Sequence, residues 1–331
     1  MAKRVRILSV LLGAQLLLAL ALNLTDSDIG EATPESPLLS QSLDHLDEIR
    51  INDGNDHSVT LMHQDDQWQL PALDGFPAST EQANQLVSTL ASATQGMPVA
   101  TTEGARGRFK VAQDDFERRL VLRRKGTDVA TLYLGTSPGT DQSYVRVDGE
   151  SPIYRIKLGT YQAPVTTDDW LDRDLLTLPL NRVSAIEVNG LKLTQADSGK
   201  DGASPWQVGT LPDGKSLDTK AAATLAGQLS ALRIHAIAAD ATEARTALAQ
   251  PELSLILDTR DHQAMTYKLA KGSNKDAPWY LSISNRDRTF RITSSVGETL
   301  VHDAAPATLL KEATSTDTAV KPVEEGGGKA G

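Results

Sequence analysis

The sequence predicts an α+β protein: two tandem copies of an antiparallel-sheet-plus-helix domain after one N-terminal transmembrane helix. Three observations lead to this fold class. The chain has 331 residues, which fits about two domains of ~100–200 residues each. Strand-like segments with alternating apolar and polar residues surround one amphipathic helix in each half. Seven segments of the first half recur, in the same order, in the second half.

An uncharged apolar stretch at residues 7–25 opens the chain. As a helix, at about 1.5 Å per residue, it is long enough to cross the hydrocarbon core of a bilayer. Three cations precede it: Lys3, Arg4 and Arg6. Acidic residues follow from Asp26 onwards, so we expect a cytoplasmic N-terminus and a periplasmic remainder. A cleaved signal peptide is the alternative, with Ala19-Leu20-Ala21 as its cleavage site.

The composition divides the chain into five parts. Residues 1–25 are the expected signal anchor, and residues 26–42, which contain Pro34 and Pro37, are a flexible spacer. The two α+β copies are expected at 43–178 and 179–311. Residues 312–331 contain no apolar periodicity and are expected to be a disordered tail.

The internal repeat has an offset of about 136 residues, which is the size of a small domain and too long for a solenoid unit. The matched segments are 48–52 with 185–189, 68–70 with 206–208, 80–93 with 218–231, 120–122 with 255–257, 131–134 with 266–269, 144–147 with 280–283, and 153–156 with 289–292. The conserved order and spacing indicate two copies of one domain.

The strands show alternation with a period of two, as in Ile49/Ile51 and Leu120/Leu122, which predicts a sheet with one buried and one wet face. Each copy also holds a helix with an apolar stripe at spacings of three and four. The stripes are Ala83, Leu86, Val87, Leu90 and Ala91 in the first copy, and Ala221, Leu225, Leu229 and Leu232 in the second. Thr80 and Asp218 are the expected N-caps.

The composition excludes several classes of function. The chain has no cysteine, which rules out disulfides, thiolate zinc sites, iron–sulfur clusters and thiol nucleophiles. The net charge of −10 argues against nucleic acid as a partner.

Residues 209–216 match the phosphate-loop pattern G-x4-G-K-S, with Lys215 as the cation, and the segment 253–258 resembles an apolar strand that ends in a magnesium-binding Asp. Pro212 removes an N–H donor where a phosphate needs one, and Asp213 adds a negative charge. An Asp-Gly turn before a helix accounts for the pattern without a nucleotide, and that is the interpretation we favour.

Other polar groups also favour structural roles. The six histidines lack the spacing of metal ligands: His45, His57, His63, His235, His262 and His302. An acidic cluster, which lacks the glycine of a calcium loop, contains Asp168, Asp169, Asp172 and Asp174. We interpret it as helix capping around Trp170 with solvated charges, rather than as a cation site or an acid–base pair.

A locally basic stretch lies in the middle of the first copy, and its members are Arg106, Arg108, Arg118, Arg119, Arg123, Arg124 and Lys125. It is suited to an acidic partner or to lipid headgroups. We favour a solvated sheet face, because Arg119, Arg123 and Lys125 have the parity opposite to the buried leucines. No residue is assigned a catalytic, cofactor-binding or metal-binding role.

The chain resembles the uncharacterised bacterial family DUF4340. The resemblance rests on the basic-then-apolar N-terminus, on Ile49/Ile51, on Trp68-Gln69-Leu70-Pro71 before a helix, on the 132–135 strand end, on Tyr144-Val145-Arg146, on Ile153-Tyr154-Arg155 and on the connector 169–176. It covers residues from about 43 to 310. The resemblance implies a membrane-anchored partner of ABC-type export systems, of the kind associated with gliding-motility transporter components.

We therefore expect a non-enzymatic, membrane-anchored periplasmic accessory or scaffold protein of an ABC-type transporter or another envelope complex. Its partners would be the inner membrane and a permease or another envelope protein, with no cofactor. A periplasmic module that binds a peptide, glycan or lipid between its two domains is the alternative. An envelope hydrolase is the third possibility.

Overall fold

The computed structural model describes residues 15, 36–195, 206–274 and 277–313. The expected membrane helix at 7–25 lies outside the described residues, except for Gln15. The same holds for most of the expected spacer and nearly all of the expected tail. In the part of the chain that is described, no helix has the length and apolarity needed to cross a membrane.

The protein is of mixed α and β type, mostly sheet with few helices. It divides into two compact units, Met1–Trp170 (unit 1) and Leu171–Gly331 (unit 2). The domain bounds expected from the sequence, 43–178 and 179–311, stay a prediction.

Unit 1 is built around an eight-stranded antiparallel sheet with the order β10-β9-β8-β7-β2-β3-β4-β5, and a separate pair, β1-β6. Its strands are β1 (Ser36–Pro37), β2 (Glu48–Asn52), β3 (Ser58–Gln64), β4 (Gln67–Leu70), β5 (Phe76–Pro77), β6 (Thr94–Gln95), β7 (Arg118–Arg124), β8 (Thr127–Leu134), β9 (Ser143–Val147) and β10 (Tyr154–Ile156). Its helices are α1 (Thr80–Ala91) and α2 (Glu103–Arg108).

Helix α1 packs most of the predicted apolar face inwards: Ala83, Leu86 and Leu90 are buried and Val87 is half-buried, whereas Ala91 is exposed. The predicted N-cap at Thr80 is wrong by one residue. The side chain of Ser79 accepts the hydrogen bond from the N–H of Gln82 and leaves Thr80 as the first helical residue.

The expectation of one wet sheet face is wrong for the centre of unit 1. Three consecutive residues of β7, Leu120, Val121 and Leu122, are all buried, and so is Tyr133 on β8. The second face is covered because the chain from α2 to Phe116 folds back over it. A cluster of buried residues forms there: Ala105, Val111, Tyr133 and Ile153.

Unit 2 also has an eight-stranded antiparallel sheet, with the order β13-β12-β11-β16-β17-β18-β19-β15, and a separate pair, β14-β20. Its strands are β11 (Val183–Val188), β12 (Leu191–Gln195), β13 (Trp206–Val208), β14 (Lys215–Leu217), β15 (Ala236–Ile237), β16 (Leu253–Thr259), β17 (Ala264–Lys271), β18 (Trp279–Ile283), β19 (Phe290–Ile292) and β20 (Leu310–Glu312). Its helices are α3 (Thr219–Ser230), α4 (Ala241–Leu248), α5 (Ser294–Asp303) and α6 (Pro306–Leu309).

Helix α3 begins where the sequence indicates, because the Asp218 carboxylate accepts hydrogen bonds from the N–H groups of Lys220 and Ala221. Its buried side is rotated slightly from the predicted stripe. Ala222 and Ala226 are buried, whereas Ala221 is only half-buried.

Candidate functional site

Arg146 is a charged residue that unit 1 buries almost completely, with 3% of its surface exposed. It lies on β9 directly opposite Tyr133 on β8. Its Nε donates to the carbonyl oxygen of Val111 at 2.7 Å, and its Nη1 donates to those of Val147 at 3.3 Å and Glu150 at 3.4 Å. The guanidinium carbon lies 4.6 Å from the centroid of the Tyr133 ring, within cation–π range.

The electrostatics around Arg146 are those of a weakly neutralised buried cation. The nearest ion-pair contact joins Nη1 to the Asp148 carboxylate at 3.9 Å. Burial lowers the pKa of Arg146, and the neighbouring Arg106 acts in the same direction. Burial also raises the pKa of Tyr133. The Tyr133 hydroxyl has no hydrogen-bond partner among the described residues.

A cavity of about 670 Å³ lies beside this buried arginine. Its cationic lining residues are Arg106 and Arg146, and its acidic ones are Glu103, Asp114, Asp148 and Glu150. The carboxylates outnumber the cations, so the cavity is not suited to an anion. The Nε and Nη1 groups of Arg146 donate hydrogen bonds to backbone carbonyls, and the bond to Val111 holds the Val111 segment against the sheet.

Unit 2 holds a cavity of a different character, with a volume of about 490 Å³. It lies between the end of α3 and the start of α5. Its apolar lining residues are Ala231, Leu232, Ile234, Val296 and Leu300, and its basic lining residues are Arg173, Arg233 and His235. An apolar cavity with a few polar groups at its rim has the composition of a small-molecule site.

Unit 1 exposes a short apolar ridge, which we define as Met97 and Val99. Met97 is 92% exposed and Val99 is 43% exposed. The backbone is fixed at the Val99 end of the ridge, because the N–H of Val99 donates to the Ile153 carbonyl at 2.7 Å and the N–H of Ile153 donates to the Ala100 carbonyl at 2.8 Å. This end of the ridge is therefore held beside the start of the edge strand β10.

The phosphate-loop pattern does not form a phosphate loop. The segment makes a turn in which the N–H of Lys215 donates to the Pro212 carbonyl at 3.1 Å, with Gly214 in the left-handed region at φ 72°. Lys215 opens strand β14 and its ammonium pairs with the carboxylate of Glu312. The turn predicted from Asp213-Gly214 is what the structure contains.

The described residues contain no group of three or more histidines or carboxylates placed to hold a metal ion. His57 pairs with Asp53 at 2.9 Å, and His302 pairs with Asp303 at 2.8 Å. The pKa of Asp53 is lowered: burial acts to raise it, and the hydrogen bonds from His57 and the Asn55 backbone outweigh that.

The acidic cluster falls on both sides of the unit boundary. Asp168 and Asp169 belong to a 3-10 turn, Thr167–Trp170, in unit 1. In unit 2, Asp174 forms an ion pair with Arg233 at 2.7 Å, and the Asp172 carboxylate accepts from the N–H of Asp174. The pair with Arg233 joins Asp174 to a residue 59 positions further along the chain. The interpretation of the cluster as helix capping around Trp170 stays a prediction.

The basic stretch of unit 1 is largely engaged within its own unit. Arg123 pairs with Asp128 at 2.6 Å, Arg118 donates to the Ala163 carbonyl at 2.9 Å, and Arg124 donates to the Ser42 carbonyl at 2.6 Å. The side chains of all three are half-buried. Of the three residues that parity placed on a solvated face, Arg119 and Arg123 are half-buried and Lys125 is exposed.

Sequence reasoning did not single out Arg146 and Tyr133. Both alternate with the apolar residues of their strands, so they lie on the face that was expected to be exposed to solvent. A tyrosine at that parity, flanked by Leu132 and Leu134, was the available signal that a second layer covers this part of the sheet.

Comparison with known families gives one finding. A family model described as domain of unknown function (DUF4340) matches residues 68–251, which is more than half of the chain. No curated protein and no solved structure was found to match.

Proposed function

The chain belongs to the DUF4340 family, and from this premise we propose that it is a non-enzymatic accessory protein of an ABC-type transporter or another envelope complex. Residues 7–25 anchor it in the inner membrane, and both units lie in the periplasm. The transporter link rests on family resemblance alone, which is an associational argument. The observation that carries the accessory role is the exposed ridge of unit 1.

The ridge has the properties of a protein-docking surface. Met97 exposes a large, adaptable apolar side chain, and Val99 follows two residues later. The hydrogen bonds that the Ile153 backbone makes with Val99 and Ala100 hold the Val99 end of the ridge, so binding a partner there orders little additional chain. Exposed apolar groups on a rigid edge are typical of interaction sites.

The proposed membrane anchor is supported by the sequence of residues 7–25, which is uncharged and follows three cations. The acidic balance of the remaining chain suits a domain kept soluble beside an anionic membrane surface.

The two units are, in this proposal, copies of one domain. Strand orders support it: β10-β9-β8-β7-β2-β3-β4 in unit 1 has the counterpart β19-β18-β17-β16-β11-β12-β13 in unit 2. After α1 in unit 1, Ala100 pairs with Ile153, which directly precedes β10. After α3 in unit 2, β15 pairs with β19, the strand that corresponds to β10.

A crosslinking experiment tests the proposal. A photoreactive amino acid replaces Met97 in the full-length chain, and membranes are irradiated before solubilisation. We expect a crosslink to a permease or ATPase subunit, identified by mass spectrometry. The matched control places the same photoreactive group at Asp141, an exposed polar position of unit 1.

Two outcomes oppose the proposal. If irradiation at Met97 yields no more permease or ATPase adduct than irradiation at Asp141, the ridge is not the docking surface. If an alkaline carbonate wash, which strips peripheral proteins, releases the full-length chain from membranes, the proposed anchor is wrong.

A further inference from the structure

The apolar cavity of unit 2 has the size and walls of a ligand site. Its volume of about 490 Å³ lies within the range of ~300–1,000 Å³ that small-molecule sites occupy. Leu232, Ile234 and Leu300 are among its lining residues, and each exposes 2% of its surface or less, so they form the closed base of the cavity. Val296 is half-buried and is the apolar wall residue nearest the start of α5.

The charge of the lining is one-sided. Its charged lining residues are Arg173 and Arg233, and none of its described lining residues is a carboxylate. This contrasts with the net charge of −10 for the whole chain. Arg173 is held in place, because its Nη1 donates to the His235 carbonyl at 2.8 Å. Arg233 makes a two-point pair with Asp174, from Nε to Oδ1 at 2.7 Å and from Nη2 to Oδ2 at 2.8 Å. Because both side chains are more than half exposed, solvent screens this pair, and a ligand carboxylate can compete with Asp174 for the guanidinium.

The first turn of α5 adds to this polarity. Ser295 and Val296 border the cavity, and the Thr293 side chain makes no capping hydrogen bond within the described residues. The N–H groups of an uncapped first turn carry a partial positive charge. This feature alone would define no site, and here it reinforces the two arginines at the rim.

From this combination we propose that unit 2 binds a single-chain anionic amphiphile, of the class of long-chain carboxylates, with the acyl chain against the apolar wall and the carboxylate at the Arg173–Arg233 rim. The apolar wall removes the acyl chain from water. The planar guanidinium of an arginine can donate hydrogen bonds to both oxygens of a carboxylate. A cationic ligand would meet like charges at the rim. The proposal is independent of partner binding at the Met97–Val99 ridge of unit 1.

Photolabelling of the full-length chain, reconstituted in nanodiscs of zwitterionic phosphatidylcholine, tests this site. The probe is a dodecanoic acid that carries a diazirine on its alkyl chain, and adducts are mapped by peptide mass spectrometry. We expect adducts within residues 228–235 and 293–300. Excess dodecanoate should compete with the label, whereas dodecanol should compete at least about tenfold less well, because it lacks the charge.

Three variants separate this site from non-specific binding of the probe. Val296→Asp places a carboxylate in the wall and should reduce labelling about tenfold or more, whereas Val301→Asp, at a half-buried valine of the same helix that lies outside both the lining and the first turn, should leave it unchanged. Arg233→Gln, at a side chain 61% exposed, should weaken competition by dodecanoate without disturbing the fold. Adducts confined to residues 7–25, equal competition by dodecanol, or equal labelling of the Val296→Asp and Val301→Asp variants would each overturn the proposal.

Discussion

The guanidinium of Arg146 lies over the ring of Tyr133, with 4.6 Å between its carbon and the ring centroid. The two residues face each other across β8 and β9, on the side of the sheet that the segment from α2 to Phe116 covers. Arg146 is thus both a packing element and a hydrogen-bond donor to the covering segment. It links a strand pair to a segment that has little regular structure of its own.

The Arg146→Lys variant should destabilise unit 1 selectively, because an ammonium cannot reproduce the donors to Val111 and Val147 or stack on Tyr133. Loss of these bonds should cost about 1–3 kcal/mol. Hydrogen exchange measured by mass spectrometry should show faster exchange in residues 103–117, while unit 2 serves as the internal reference.

Arg155→Lys is the matched control, since Arg155 is exposed on the neighbouring strand β10. If Arg146→Lys and Arg155→Lys leave exchange in residues 103–117 equally unchanged, the buried arginine does not hold the covering segment.

Gly297→Ala should destabilise unit 2, because an added Cβ would lie 2.3 Å from Cδ2 of the buried Trp279. Such overpacking costs about 1–3 kcal/mol. Gly227→Ala is the control on helix α3: no described atom lies within 4 Å of its added Cβ. That change should stabilise by up to ~1 kcal/mol through helix propensity.

Urea unfolding followed by tryptophan fluorescence distinguishes the two glycine variants. The Gly297→Ala transition is expected at lower urea than that of the parent chain, and the Gly227→Ala transition at equal or higher urea. A shift of the same sign and size in both would mean that contact with Trp279 is not what requires the glycine at 297.

The helices that the sequence predicted best are those with both an apolar stripe and a polar cap. Helix α3 begins after Asp218 as expected, and α1 begins one residue from its expected cap because Ser79 competes with Thr80. Both side chains are good N-caps, so only the local backbone conformation decides between them.

The sequence did not predict the short helices or the segment that covers the second face of the unit 1 sheet, for a different physical reason. Helix α2 has six residues and one buried member, Ala105, too few to produce a periodic signal. The burial of Tyr133 and Arg146 depends on a segment that folds back from some distance along the chain. Alternation along a strand reports which residues share a face but not what covers that face. The apolar cavity of unit 2 likewise combines residues from 173 to 300.

The loss of folding stability at acidic pH should depend on Asp218. Backbone hydrogen bonds from Ala221 and Lys220 lower the pKa of this carboxyl, with the bond from Ala221 as the larger cause. A lowered pKa in the folded state stabilises the protein above the unfolded value of about 3.9, and that contribution is lost as the pH falls through the folded value. Asp218→Asn keeps a capping oxygen but cannot titrate.

Thermal unfolding midpoints between pH 6 and pH 2 are the measurement for this carboxyl. The parent chain should lose more thermal stability on acidification than Asp218→Asn, while Asp218→Ala should be less stable than both at pH 6 because it lacks a cap. Parallel pH curves for the parent and Asp218→Asn would show that the carboxylate charge is not linked to folding.

The last prediction concerns nucleotide. The Lys215 N–H is committed to a turn with Pro212 and its ammonium to Glu312, so neither group of this lysine is arranged to meet a phosphate. We expect that ATP with Mg²⁺ causes no shift in the unfolding midpoint of the full-length chain. Lys215→Ala should weaken the β14–β20 pairing slightly, and Glu312→Gln should have the same effect because it removes the same exposed pair. A saturable stabilisation by ATP that Lys215→Ala abolishes and Glu312→Gln preserves would contradict this interpretation, since it would show that the lysine serves a phosphate and not its carboxylate neighbour.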